Sequence, residues 1–384
     1  MDDDQTKPEC KDKVIDRYRK LVDEGSYEVG VSPEIDPSVP PPWYDKDKFK
    51  QAQSTAAKFF PSLSFASFSG LLIGIQIPLF LEPLLLTGTH ETIPKLFRRY
   101  LDTVLKVHTW YGDDPFEEGS KSYKSLRQVR RMHNNVTKMM NERTGRVQGK
   151  DKIWVSQCQM AMTQAGFFGL LVLVPGKCFA HGISDKELED IIYLWRVLGY
   201  LNGIKDKYNL CSGNLEETRV YLKHIFTSFV IPQIIQTPNH PYPIGFEVAK
   251  GIANSLRPIR PAIRWQTILY YWYEILNIPF PYKLSIGHRL LLAFSKFSFT
   301  VLLRFRFMYN LFNRALRRRV QRAEQFKEKI ESALAAKYPD SKYSAGCPYK
   351  LTLDWVSSKP ITPSDVIPDI NDNDTRLNVK LQSS

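Results

Sequence analysis

Residues 125–140 read SLRQVRRMHNNVTKMM. Leu126, Val129, His133, Val136 and Met140 recur at steps of three and four, which is one face of an amphipathic helix. That stripe is expected to face the core and carries an imidazole at its middle. Arg130 sits one turn earlier, with Arg127 and Arg131 close by. A core-facing histidine among guanidinium groups asks for a metal or an anion. The competing reading is a core histidine satisfied by its neighbours, and the residues alone leave both open.

Outward from this helix, most of the chain reads as helical. A segment 46–60 precedes an apolar stretch, Leu63–Ile77, bracketed by Pro61 and Pro78. It is shorter than the ~20 residues a membrane span needs, so a buried core helix is expected. Glu82 is the only carboxylate between Lys58 and Glu91, and a turn before Pro83 accounts for it as readily as chemistry does. Thr92 and Pro94 open a helix carrying Arg99 and Thr103 four residues apart. After the histidine helix, 154–174 presents Gln157, Gln159 and Gln164, amides that need buried partners if they face inward. Ser184 and Glu187 form a capping box, and Leu188, Ile191, Trp195 and Leu198 line the inner face of the helix they start. Trp195 at such a position is ordinarily core.

The ends differ from the middle. Residues 1–45, with five prolines between Pro33 and Pro42, read as an extended, partly disordered leader lying over the domain, with a short helix at 11–24. Residues 46–338 form the helical domain, and 339–384 a loose tail rich in Pro, Ser, Asp and Asn. The proline-rich 231–262 reads as a connector, and 284–320 as one long helical run. Lys and Arg number 53 against 40 Asp and Glu, a net charge of +13. Residues 283–329 hold twelve Lys/Arg and two Glu, so about ten of those charges sit in that basic amphipathic part. Its apolar centre, LLLAFSKFSF, suits a membrane surface, and no nucleic-acid motif accompanies it, so no nucleic-acid partner is expected. An ordinary packed terminal helix is the simpler alternative.

Five dispersed cysteines without C-x-x-C spacing read as free thiols of a reducing compartment. MDDDQTKPEC lacks the basic and apolar regions of a secretory signal, so an intracellular location is expected. No pair of the seven histidines has zinc spacing, and no G-x-S-x-G, P-loop or dinucleotide fingerprint is present. Haem is the metal cofactor that one protein histidine can hold in an all-helical pocket.

Five short motifs in order carry a resemblance: P-P-W-x-D at 41–45, R-R-x-L-x-T at 98–103, V-R-x-x-H-x-x-V at 129–136, S-Q-x-x-M-A-x-T at 156–163 and L-W-R-V-L-G at 194–199. Together they resemble the catalytic domain shared by bacterial rubber oxygenases (latex-clearing proteins) and the ER-bound oxygenase of mycophenolic acid biosynthesis, over roughly residues 40–205. The resemblance implies an all-α helical bundle with a globin-like core holding non-covalent haem b. It implies His133 as axial iron ligand, Arg130 beside the haem, and Arg99 with Thr103 on the facing helix. It also implies oxidative cleavage of a carbon–carbon double bond in an isoprenoid or other unsaturated lipid chain by dioxygen, and endoplasmic-reticulum membrane association. Trp195, Phe167 and Phe168 are then expected to line the haem or substrate channel, and Glu82 to be the proton-accepting carboxylate. Asp102 stands where latex-clearing proteins can carry a distal lysine, and Cys158 and Gln159 where the family has an acidic pair. The alternatives are a membrane-associated haem or lipid binder without catalysis, and a basic helical scaffold without cofactor.

Overall fold

The computed structural model describes residues 8–87, 90–236 and 244–339; the tail at 340–384, His240 and Cys347 lie outside them. The chain is all-α. Its first half runs through α1 (Pro8–Asp23), α2 (Lys46–Lys58), α3 (Phe60–Gly74), α4 (Pro78–Leu86), α5 (Ile93–Trp110), α6 (Lys121–Thr144) and α7 (Gln157–Leu173). Then follow α8 (Asp185–Leu201), α9 (Leu215–Ile225), α10 (Ile231–Gln236), α11 (Ile244–Ser255) and α12 (Trp265–Ile275). The basic region supplies α13 (Ile286–Thr300), α14 (Arg306–Gln325) and α15 (Lys327–Lys337). Among the described residues the only extended pairing is an isolated antiparallel bridge between Val29 and Ser156.

The core forms around α3 and α7, which are apolar on nearly every face and bury most of their length. They approach closely because glycine meets glycine: a Cβ on Gly70 would lie 2.1 Å from the Gly166 carbonyl oxygen. The expected core helix at 63–77 is therefore a core helix. The three amides of α7 are all buried and all bond to backbone carbonyls, as burial of an amide requires. Local signals set the helix ends. Asp45 caps α2 through the Asp47 and Lys48 amides at 2.9 Å, Thr92 caps α5, and Ser184 with Glu187 closes the capping box of α8. Ser120 starts α6 and Gly145, at φ +66°, ends it.

Three expectations change. The leader does not merely lie over the domain, because Val14, Tyr18, Leu21 and Val22 of α1 share one helical face and are buried in the core. The proline-rich connector contains a true core helix, α11, which packs on α5; flanking prolines disguised it. The long run 284–320 breaks at 301–305, where a 3-10 turn buries Leu303 and lets Tyr309 reach the Ser62 hydroxyl at 2.9 Å. Helix α5 is the second hub, packed by α6, α11, α14 and α15.

Candidate functional site

Helices α4, α5 and α6 meet at one corner of the domain. Gln159 of α7 fixes α4 in place by donating to the Leu79 carbonyl oxygen. On α4, Glu82 is buried. Thr87 ends that helix, and its hydroxyl accepts from Arg99 Nη1 at 3.2 Å. Arg99 thus ties the end of α4 to α5. One turn along, the Thr103 hydroxyl donates to the Arg99 carbonyl oxygen at 3.1 Å, the usual resting bond of a helical threonine. Arg98 and Asp102 belong to the opposite side of α5, where they pair with Glu331 at 2.6 Å and Lys327 at 2.8 Å of α15. Asp102, in the lysine position of the resemblance, therefore serves the docking of α15.

His133 faces this corner from α6. Its Nδ1 is buried and has no hydrogen-bond partner among the described residues, although part of the residue remains exposed. Burial, and secondly the Arg99 charge, push the imidazole down to about 4, so it is neutral at physiological pH. The carbonyl or carboxylate that commonly orients a metal-binding histidine is not behind Nδ1. Thr87 and Gln159, which position α4 and Arg99, were not singled out for this by the sequence. Gln159 was signalled only by its place inside the S-Q motif, and no motif marked Thr87.

Arg130 is engaged by backbone carbonyls. Its Nη2 donates to the Ser32 and Ile35 carbonyl oxygens at 2.6 and 2.7 Å, and its Nη1 to Leu201 at 3.4 Å. The guanidinium holds down the extended segment after α1. Gln157 does the same one layer away. Its Nε2 lies 2.8–3.0 Å from the Val29, Gly30 and Gly203 carbonyl oxygens, and its Oε1 accepts from Lys205 N at 2.9 Å. Arg196 covers the Trp43 ring at 4.0 Å, and Tyr200 reaches the Val39 carbonyl oxygen at 3.0 Å. Trp195 takes the core position that its helix face suggests. It is buried between α7 and α8, stacked on Phe167 and Phe168 with centroids 5.0 and 6.0 Å away, and edge-on to Tyr111. These four rings pack together beside the apolar stripe of Leu188, Ile191 and Leu198 on α8.

A cavity of about 490 Å³ opens on another face of α6 at Asn135, Met139 and Arg143, and one of about 560 Å³ lies between α2 and the loop before α6; neither is lined by His133 or Arg99. Among the described residues no three His, Cys, Asp or Glu side chains gather to hold a bare metal ion. The donor set at the corner is one neutral imidazole with an unpartnered buried nitrogen, flanked by a cation. That set suits a group bringing its own equatorial ligands and acidic substituents. A family model described as the ER-bound oxygenase mpaB/B'/rubber oxygenase catalytic domain matches residues 59–274. No curated protein and no solved structure matches the chain.

Proposed function

Because the chain belongs to the ER-bound oxygenase mpaB/B' and rubber oxygenase catalytic-domain family, we propose that it is a haem-b-dependent oxygenase cleaving a carbon–carbon double bond of an isoprenoid or other unsaturated lipid chain with dioxygen. The observation that carries the haem reading is the neutral His133, its buried Nδ1 unpartnered and Arg99 alongside. His133 would hold the group through its imidazole, and Arg99 would neutralise an acidic substituent. When bound, haem supplies the iron chemistry that makes dioxygen reactive toward an alkene. Both oxygen atoms end in the two carbonyl products, so no external reductant is needed.

The side chains divide the remaining work. Arg99, anchored by the Thr87 hydroxyl, presents a fixed cation. Thr103 spends its proton on a backbone carbonyl and keeps its lone pairs for an incoming donor. Glu82 is assigned as acceptor of an allylic proton from the substrate, as the buried carboxylate on the helix whose end Arg99 holds.

The test is an absorption spectrum of the purified chain loaded with hemin, before and after reduction with carbon monoxide present. A Soret band that disappears in His133→Ala is the expected result. Oxygen-dependent aldehyde or ketone products from a polyprenyl substrate should be lost in Glu82→Gln while the Soret band persists. A chain that takes up no hemin, or an unchanged band in His133→Ala, overturns the reading.

A further inference from the structure

Helix α13 is apolar, yet among its fifteen residues only Leu292 is buried. Ile286, Leu290, Phe294, Phe297 and Val301 recur at steps of four, four, three and four, and each is between 41 and 79 % exposed. The exposed series continues past the turn in Phe305, Phe307 and Leu311. A contiguous apolar surface of this kind on a folded domain marks a partner. The charge around it says which. From Lys283 to Ala323 there are ten Lys/Arg and no Asp or Glu. Arg289, Arg304, Arg306, Arg318 and Arg319 are exposed among or beside the apolar residues. A second copy would set cation against cation. An anionic lipid surface satisfies both features at once.

We infer that the α13–α14 face docks on an anionic lipid bilayer, with α13 lying in the headgroup plane and not crossing the membrane. The stretch Ile286–Arg304 is long and apolar enough to span. Its inner side is nonetheless committed to the domain. Phe299 packs on Phe65 and Phe179 at 5.0 and 4.9 Å, its carbonyl oxygen meets His181 Nε2 at 2.6 Å, and Lys296 pairs with Glu274 at 2.6 Å. A helix pinned along one side cannot enter the bilayer lengthwise while the domain stays folded. The other side can sink to the acyl boundary with the arginines at phosphate level. This binding needs no cofactor, so it stands or falls separately from the oxygenase reading, though it would bring the corner of α4–α6 to a lipid-soluble substrate.

The experiment is flotation of the full chain with vesicles of phosphatidylcholine alone or mixed with phosphatidylserine, at low and high salt. Stronger, salt-sensitive binding to the mixed vesicles is expected. Phe294→Ser with Phe307→Ser should weaken binding to the mixed vesicles by at least about tenfold, the effect of keeping two phenyl groups in water. Arg318→Ser with Arg319→Ser should weaken binding to anionic vesicles alone, by about thirtyfold, each of the two charges near the surface contributing ~1 kcal/mol. All four side chains are exposed, and circular dichroism checks that the variants stay folded. In Phe294→Trp, bromine near the headgroup end of the lipid chain should quench the indole more than bromine at the chain terminus. The reverse order indicates a span and overturns the inference. So do vesicle binding unaffected by either pair of substitutions, no binding to anionic vesicles, or a lipid-free dimer that Phe294→Ser dissolves.

Discussion

Two regions of this molecule treat buried polar groups in opposite ways. Along the strap after α1, the Arg130 guanidinium and the Gln157 amide are covered by backbone partners, and their bonds join α6, α7, the strap and the exit of α8. At the corner of α4, α5 and α6, the His133 Nδ1 is buried with no partner among the described residues. Buried polar atoms without partners also occur at Trp272 and Arg260, so an orphan alone proves little. At His133 it coincides with a neighbouring cation and with the family's histidine motif. A closed network is scaffold. An open one, in that company, is where the proposed site lies.

The largest effect expected from this contrast is at Gln157. Replacing it with alanine removes the Gln157 bonds of three carbonyls and an amide in the interior, of which the Gly203 oxygen keeps the Ser32 amide. The loss should be ~3–5 kcal/mol in chemical denaturation, several backbone groups being affected at once. A loss below about 1 kcal/mol would break the view that the strap is held by this amide. Gly203→Ala comes next. Its φ is +101°, and a Cβ there would approach the Val31 Cα to 2.7 Å and Arg130 Nη1 to 3.1 Å. Strain and the displaced strap should together cost ~2–4 kcal/mol, again read from a denaturation midpoint.

The same contrast explains what the sequence disclosed. Period and capping signals gave the helices, since Thr92 and Ser184 act locally and do in space what their types suggest. They did not give the break at 301–305, which comes from burying Leu303 and bringing Tyr309 to Ser62, nor α11, whose core role depends on α5. At the site, Arg99, Thr103 and His133 were legible as motif positions, and the contact of Arg99 with the end of α4 follows from tertiary packing. The strap contacts of Arg130 were not legible, because an arginine one turn from a histidine has the same spacing whether it serves a cofactor or a strap 95 residues away. Trp195 was drawn toward the site by its motif, but its whole helix face is core. Four of the five motifs that carry the resemblance contribute residues to the strap network: Trp43, Arg130, Gln157 and Arg196.

A further joint, of α5 with α14, has a stability that depends on pH. Arg317 of α14 donates from Nη1 to His108 Nε2 at 3.0 Å, and the His108 ring packs on Phe60 at 5.2 Å. Burial, then the Arg317 charge, hold the imidazole below its ordinary value of 6.5. The unfolded chain therefore binds the proton first as pH falls. Stability from this group is present above pH 6.5 and is lost as pH falls through 6.5 toward the lower folded value, at no more than about 1.4 kcal/mol per pH unit. His108→Gln keeps an acceptor for Arg317 and removes the titration. Thermal melts at several pH values should give the variant a flatter profile than the wild type, and parallel profiles would sink the assignment.

The smallest expected stability effect is at the residue proposed to matter most. In the cofactor-free chain His133→Ala removes a nitrogen that bonds to nothing, from a side chain that is partly exposed. The lost packing and the relieved desolvation oppose each other, so the midpoint should move by no more than about 1 kcal/mol, against several for Gln157→Ala. Adding hemin separates the two residues further. A group that binds only the folded wild-type chain raises its melting temperature by mass action, and His133→Ala should forfeit that rise. Gln157→Ala should keep it from a lower starting point. If His133→Ala instead destabilises the cofactor-free chain as much as Gln157→Ala does, the imidazole is one more structural tie, and the corner is scaffold like the strap.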